Sequence, residues 1–317
     1  MELKEKTVLI ERPSFLSTRF KKTLKTMKKD WVLYVLLTPP LLYFIIFRIF
    51  PLFGMVLAFQ DYRILGDNVW VGLKYFKILF NSPVFYNVLQ NTIIISLMKI
   101  VFCFPVPIIL SFLINEVRVS GYRKYVQSII YLPHFLSWVV IAGIWISLLS
   151  PSGGAVNILL NFFHQPSIDF MTDKGSIRWV LVFSEMWRSA GWDSIIYLAA
   201  IMKISPSLYE AAHMDGASRW QQMRFITLPE LSTTIVTVFI LNLGFFMNAG
   251  FDQVYNLMND SVISVVDILD TYVYRIGLVN GQYSYATAAS LFKGVIGMVL
   301  IFSTHFLSKK ISGKGIW

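Results

Sequence analysis

Charge is scarce in this chain and cysteine almost absent. Only 15% of its 317 residues are Asp, Glu, Lys or Arg, while 56% are hydrophobic. A soluble domain carries about 25% charged and roughly 45–50% apolar residues. A single cysteine, Cys103, excludes an intrachain disulfide and leaves no partner for redox work. The four histidines, His134, His164, His213 and His305, have no metal-ligand spacing, and no His-Glu-x-x-His occurs. Neither a Gly-x-x-x-x-Gly-Lys-Ser/Thr loop nor a Gly-x-Gly-x-x-Gly turn is present, so the two common nucleotide cradles are missing. The polar segments reach about forty residues at most, too short for a catalytic domain. These absences argue against an enzyme. If the chain moves a solute uphill, the energy comes from a partner or an ion gradient.

What is present is a series of apolar runs of about 20 residues, each long enough to cross a ~30 Å hydrocarbon layer as a helix. Six are expected, near 33–56, 92–114, 127–149, 179–202, 232–250 and 287–307. The first is interrupted by Pro39, Pro40, Arg48 and Pro51. A signal peptide does not fit, because the first run begins after some thirty residues and no small-residue cleavage site follows it. The runs are continuous rather than alternating, which excludes a membrane β-barrel. Lysine and arginine set the orientation: eighteen of the 28 fall in the 1–30 arm, the 115–126 and 203–231 loops and the tail, against six in the opposite loops. The positive-inside rule then puts both termini in the cytoplasm.

The expected organisation is a basic arm at 1–30, a six-span all-α domain at 31–308 and a tail at 309–317. In the arm, Leu16, Phe20, Leu24 and Met27 recur at helical spacing among Arg19, Lys21, Lys22, Lys25, Lys28 and Lys29. That pattern reads as an amphipathic helix on the anionic inner leaflet, with a docking role as the alternative. It accounts for most of the net charge of +10 without nucleic acid.

One cytoplasmic stretch, 205–229, is polar between two greasy runs and carries dense helix signals. Ser205-Pro206 reads as a cap and first helical residue, with Leu208, Ala211 and Ala212 on one side of the helix that follows. Gly216 sits where a helix ends in a left-handed residue. Ser218 and Gln221 form a capping-box pattern that opens a second helix, with Trp220, Met223 and Thr227 on one face. Pro229 is expected to close the unit and open the next span. A rigid protrusion tied to two spans suits docking into a groove on a cytoplasmic partner better than an ordinary loop does.

Residue by residue the strip resembles the EAA signature of inner-membrane subunits of binding-protein-dependent ABC importers. The matching positions are Glu210, Ala211, Ala212, Asp215, Gly216, Ile226, Leu228 and Pro229. The stretches 104–116 (FPVPIILSFLINE), 131–140 (YLPHFLSWVV) and 151–161 (PSGGAVNILLN) are similar to the carbohydrate branch, especially the polysaccharide permeases that include alginate importer subunits. The resemblance implies a type I importer permease fold in a bacterial inner membrane. It implies as partners a second homologous permease, two ATPase subunits that bind ATP and Mg, an extracytoplasmic solute-binding protein and a saccharide. This chain would then carry no cofactor or metal of its own. Glu210 would contact the ATPase, Gly216 permit the corner and Pro229 fix the junction with the fifth span.

Ionisable residues within spans are costly and are functional candidates. In the fourth span Glu185, Arg188, Ser189 and Trp192 share one face, with Trp187 and Asp193 beside it. Tryptophan rings offer stacking to sugar C–H faces, and the charges offer bonds to hydroxyls or a carboxylate. The alternative is a Glu185–Arg188 pair that orders the bundle. In the fifth span Asn242, Phe245, Phe246 and Ala249 make a similar face, with Asn248 adjacent. The family's usual arrangement has both spans lining the path. Lys99 and Lys293 read as structural pairs or snorkelling residues rather than substrate contacts. Asp252, Asp260, Asp267 and Asp270 read as a solvated acidic face, with contact to a binding protein as the alternative. The reading from another class is an ion-gradient-driven secondary transporter, which predicts inverted repeats that are not visible and leaves the strip unexplained. A permease for a non-sugar solute is a further alternative.

Overall fold

The structure, a computed structural model, describes residues 29–312, so the basic arm and the last five residues of the tail lie outside the described residues. The chain divides at Val56 into two units. The first contains α1 (Trp31–Phe44), which continues through a π-turn at Ile45–Ile49 into a 3₁₀ stretch, Phe50–Phe59, whose last three residues belong to the second unit. Pro39 and Pro40 lie within α1, yet Trp31–Phe59 stays helical for 29 residues and is apolar enough to cross a membrane. No residue of α1 is buried.

The second unit continues with a small antiparallel hairpin, β1 (Gln60–Asp61) and β2 (Val69–Trp70). The short helix α2 (Lys74–Phe80) follows. Then α3 (Pro83–Cys103) and α4 (Pro105–Glu116) form one 34-residue rod. At 1.5 Å per residue it is ~51 Å long and overshoots a ~30 Å hydrocarbon layer. Ser82 caps its start, accepting the Phe85 N–H, so this span begins well before residue 92.

The expected continuous span at 127–149 is broken. Helix α5 (Ser120–Tyr131) ends in a 3₁₀ turn, Leu132–Phe135, and α6 (Trp138–Leu149) leaves at 104°. Pro133 cannot donate to the helix ladder, and Ser137 starts a new helix by accepting the Val140 N–H. After α7 (Ala155–Phe162) comes α8 (Ile177–Ile201), the fourth expected span. Its 25 residues are long enough to cross a membrane, but Arg178, Glu185, Arg188 and Asp193 make it too charged to stand among the helices that are apolar enough by composition.

Helices α9 (Pro206–Met214) and α10 (Arg219–Gln222) form the strip; a π-turn, Met223–Thr227, joins α10 to α11 (Leu228–Gly244). Arg219–Gly244 is one 26-residue helical run, so Pro229 does not separate strip from span. Proline lacks the N–H of the helical ladder, and here it directly follows the π-turn Met223–Thr227, where the regular hydrogen-bond register is already interrupted. The fifth span also ends earlier than 250: after Gly244 the chain turns through Phe245–Gly250, with Gly250 at φ +96°. Short helices α12 (Phe251–Leu257), α13 (Ile263–Val266) and α14 (Leu269–Tyr274) lead by a π-turn to α15 (Tyr283–Ser312), the last span.

Two buried clusters hold these short helices against the spans. One joins Ile95, Leu149, Ile177 and Leu181 to Val254, Leu257 and Ile268; the other joins Phe85 and Val88 to Leu269, Tyr272 and Tyr285. Arg178 adds polar ties, donating to Val265 O (3.0 Å) and Asn91 Oδ1 (2.8 Å). A third cluster, Tyr197, Ile201 and Leu231, packs α8 on α11 beside the strip. The acidic segment at 252–270 is only partly a solvated face. Asp252 and Asp260 are exposed, but Asp267 is buried against Arg275 (2.5 Å) and Asp270 pairs with Lys293 (2.5 Å). A buried carboxylate needs such a cation.

Candidate functional site

The strip folds as a helix, a glycine corner and a second helix. Gly216 stands at φ +77°, its N–H bonded to His213 O (3.0 Å), while the Ala217 N–H reaches Ala212 O (2.9 Å). This is a Schellman ending, in which the left-handed glycine lets two orphan carbonyls find donors. The capping box forms in full: Ser218 Oγ accepts the Gln221 N–H and Gln221 Oε1 accepts the Ser218 N–H at 2.7 Å. Ser205, by contrast, makes no cap bond and pairs with Ser207. The Tyr209 and Thr227 hydroxyls, 2.9 Å apart, tie α9 to the π-turn. An Arg219–Glu116 ion pair (2.6 Å) ties α10 to the end of α4.

Glu210, Ala211, Asp215, Gly216, Leu228 and Pro229 are exposed, and Ala212 and Ile226 half-buried. Glu210 makes no ion pair among the described residues. Met214, Trp220 and Phe225 are 86%, 65% and 69% exposed. Large apolar side chains alternating with charge on a rigid corner form a surface suited to a protein partner.

Between α3, α6, α8 and α11 lies a cavity of about 800 Å³, within the usual size range of ligand sites. Eight of the nine substrate-path candidates line it: Glu185, Ser189, Trp192, Asp193, Asn242, Phe245, Phe246 and Asn248. The last three come from the turn after Gly244, not from a helical face, and Ala249 is fully buried. Arg188 is not among the lining residues; its guanidinium lies 5.0 Å over the Trp138 ring, and Trp138 does line the cavity. Buried, the Arg188 Nε has no hydrogen-bond partner among the described residues.

The Glu185–Arg188 pair does not form. Glu185 instead accepts from Lys99 (3.3 Å) and from Ser189 Oγ (2.8 Å). Trp192 is set by a parallel stack on His134 (centroids 4.5 Å apart, planes 2° apart) and an edge contact with Phe135. That leaves it 40% exposed. Three residues of this site were not singled out in the sequence. Trp138 directly follows Ser137, the cap of α6, whereas Gln253 and His134 carry no local signal, because only the fold brings them to Lys99 and Trp192. Across α8 lies a recess of about 1000 Å³ lined almost wholly by aliphatic and aromatic groups, with Ser176 its one hydroxyl. Sugar hydroxyls would find almost no partner there. Among the described residues no group of three His, Cys, Asp or Glu could hold a metal.

Residues 86–313 match the family described as the binding-protein-dependent transport system inner membrane component. The chain belongs to this family. It is an inner-membrane permease, a transport component rather than an enzyme. It is 42% identical over 96% of its length to the polygalacturonan/rhamnogalacturonan transport system permease protein YteP of Bacillus subtilis (strain 168), covering 95% of that protein. Identity is 30% to the arabinooligosaccharides transport system permease protein AraP of the same organism, over 89% of this chain and 88% of the relative. It superposes with a TM-score of 0.85, at 40% identity over 92% of this permease and 99% of the other chain, on a bacterial ABC transporter involved in the import of the acidic polysaccharide alginate. A second structure of the alginate transporter, matching equally well, is in complex with an alginate pentasaccharide-bound periplasmic protein.

Proposed function

We propose that this permease forms one half of the membrane path of a type I ABC importer for oligosaccharides or polysaccharide fragments. The observation that carries the reading is the composition of the 800 Å³ cavity. Trp138, Trp192, Phe245 and Phe246 offer flat apolar faces for sugar rings, while Ser189, Asp193, Asn242 and Asn248 offer donors and acceptors for hydroxyls. The names of the relatives point to uronate-containing chains as the substrates to try first.

A second, homologous permease completes the path, and a solute-binding protein delivers the saccharide from outside. Two ATPase subunits bind ATP and Mg and take the Glu210–Pro229 strip in a cytoplasmic cleft, with both termini of this chain on the same side. The unbroken helix Arg219–Gly244 carries a push on the strip to the cavity wall. Substrate-stimulated ATP hydrolysis by the purified complex tests the reading, with tetragalacturonate and neutral galactotetraose as probes. Stimulation by either is the expected result. A permease that purifies alone and transports without an ATPase would refute it in favour of a secondary transporter.

A further inference from the structure

Two lysines within the spans, Lys99 on α3 and Lys293 on α15, reach the same six-residue turn from two different helices. Lys99 Nζ donates to Ala249 O (2.6 Å) and to Gln253 Oε1, and pairs with Glu185 of α8. Lys293 Nζ donates to Asn248 Oδ1 (2.8 Å) and pairs with Asp270 of α14 (2.5 Å). Gln253 extends the first group by donating to Leu181 O (2.6 Å) and Ser184 Oγ (2.8 Å). The turn between them, Phe245–Gly250, is the non-helical end of the helix that begins in the strip, and it supplies Phe245, Phe246 and Asn248 to the cavity.

The turn is short of internal bonds. Phe245, Phe246 and Asn248 close back on Asn242, Leu243 and Phe245, while among the described residues the Ala249 carbonyl finds its donor in Lys99. Gly250, at φ +96°, lets the ammonium approach: a Cβ there would lie 2.9 Å from Lys99 Nζ. Buried Met247 and Ala249 anchor the turn's apolar side but leave the Ala249 carbonyl and the Asn248 side-chain amide unheld. Non-helical backbone at membrane depth persists only where such polar partners satisfy it.

We propose that Lys99 and Lys293 are positioning residues, a two-point clamp that holds the Phe245–Gly250 turn in the shape the cavity wall needs. Neither lysine is free to neutralise an anionic substrate, since each is committed to a carboxylate. The clamp itself is a claim about the turn; its consequence for transport rests on the importer reading of the cavity.

The experiment uses the full complex in lipid nanodiscs, in a Cys103→Ser background, with a spin label at Phe246→Cys or, as control, at Ile196→Cys on α8. Lys99→Met with Lys293→Met should raise mobility severalfold at 246 and leave 196 unchanged. Glu185→Gln, which keeps the Lys99 bonds to Ala249 and Gln253, should leave 246 immobile. If the double variant does not assemble, Lys293→Gln alone is expected to mobilise 246 to a smaller degree. In unlabelled complexes the double variant should raise the half-saturating tetragalacturonate or galactotetraose concentration about tenfold, with maximal uptake changed less than twofold. Unchanged mobility at 246 overturns the clamp. Raised mobility with unchanged half-saturation overturns its role in shaping the cavity. If the wild-type complex takes up neither probe, the saccharide reading fails while the label still decides the clamp.

Discussion

Replacing Gly216 isolates the corner of the strip from its packing. A Cβ at this position would meet nothing within 4 Å, so a substitution adds strain through the backbone alone. The residue stands at φ +77°, where an L side chain costs roughly 1–2 kcal/mol, less for Asn and more for β-branched residues. Because 1.4 kcal/mol is a factor of ten in an equilibrium constant, Gly216→Ala should thin the correctly bent strip by about 5- to 30-fold. The rest of the fold would be untouched. Gly216→Asn should lose least, Gly216→Val more than Gly216→Ala, and Gly216→Pro most. Proline cannot adopt that φ and removes the N–H that bonds His213 O. The assay is stimulated ATP hydrolysis and uptake by the assembled complex, normalised to permease in the membrane. Activity should fall in the order Gly, Asn, Ala, Val, Pro while insertion stays constant. Wild-type transport by the Val and Pro variants would show that the corner does not couple the strip to a partner.

Further expectations concern the strip, the cavity, one helix contact and the β1–β2 hairpin. Glu210→Lys should abolish stimulated ATP hydrolysis without loss of permease from the membrane; retained stimulation would remove Glu210 from the contact. Trp192→Ala should raise the half-saturating saccharide concentration by tenfold or more, whereas His134→Ala, which only frees the ring, should raise it less. Equal or reversed effects would argue that Trp192 is packing rather than platform. Gly191→Ala should cost assembly, since its Cβ would fall 2.2 Å from the Ile130 carbonyl oxygen, a backbone atom with little room to move; overpacking costs ~1–3 kcal/mol or more. A melting temperature equal to wild type would contradict the observed approach of α5 to α8. At the hairpin, the hydrogen bond from Tyr75 (2.5 Å) holds the Asp61 carboxyl below its ordinary 3.8. A depressed carboxylate stabilises above its unfolded value and loses that contribution as pH falls through the folded one. A spin label at Leu65→Cys should therefore stay constant from neutral pH down to about 5 and loosen only below about 4. Tyr75→Phe should move the midpoint upward. Loosening already complete at pH 5 would sink the assignment.

The strip was legible in the sequence because its signals are local. A left-handed glycine, a serine three residues before a glutamine and an early proline act within one or two turns, so no tertiary contact is needed to recognise them. The cavity residues of α8 were legible for a related reason: charge and tryptophan inside an apolar run are conspicuous wherever the helix packs. The same periodicity misled beyond Gly244. Apolar composition continues to residue 250, but the chain stops being helical where lysines from two other spans take over its carbonyl and amide.

What the sequence alone determined was membrane residence and the helix–glycine–helix fold of the 205–229 strip, both consequences of composition and of interactions a few residues apart. Only the tertiary structure decided the partners of the buried charges. Glu185 pairs with Lys99, 86 residues away, rather than with Arg188 one turn along its own helix. Asp270 answers Lys293, and Arg188 rests on Trp138. Inside a span no water competes for a charge, so each takes whichever counterion, carbonyl or ring the packing of distant helices brings to it. That choice is written in the fold and in no local stretch of the chain.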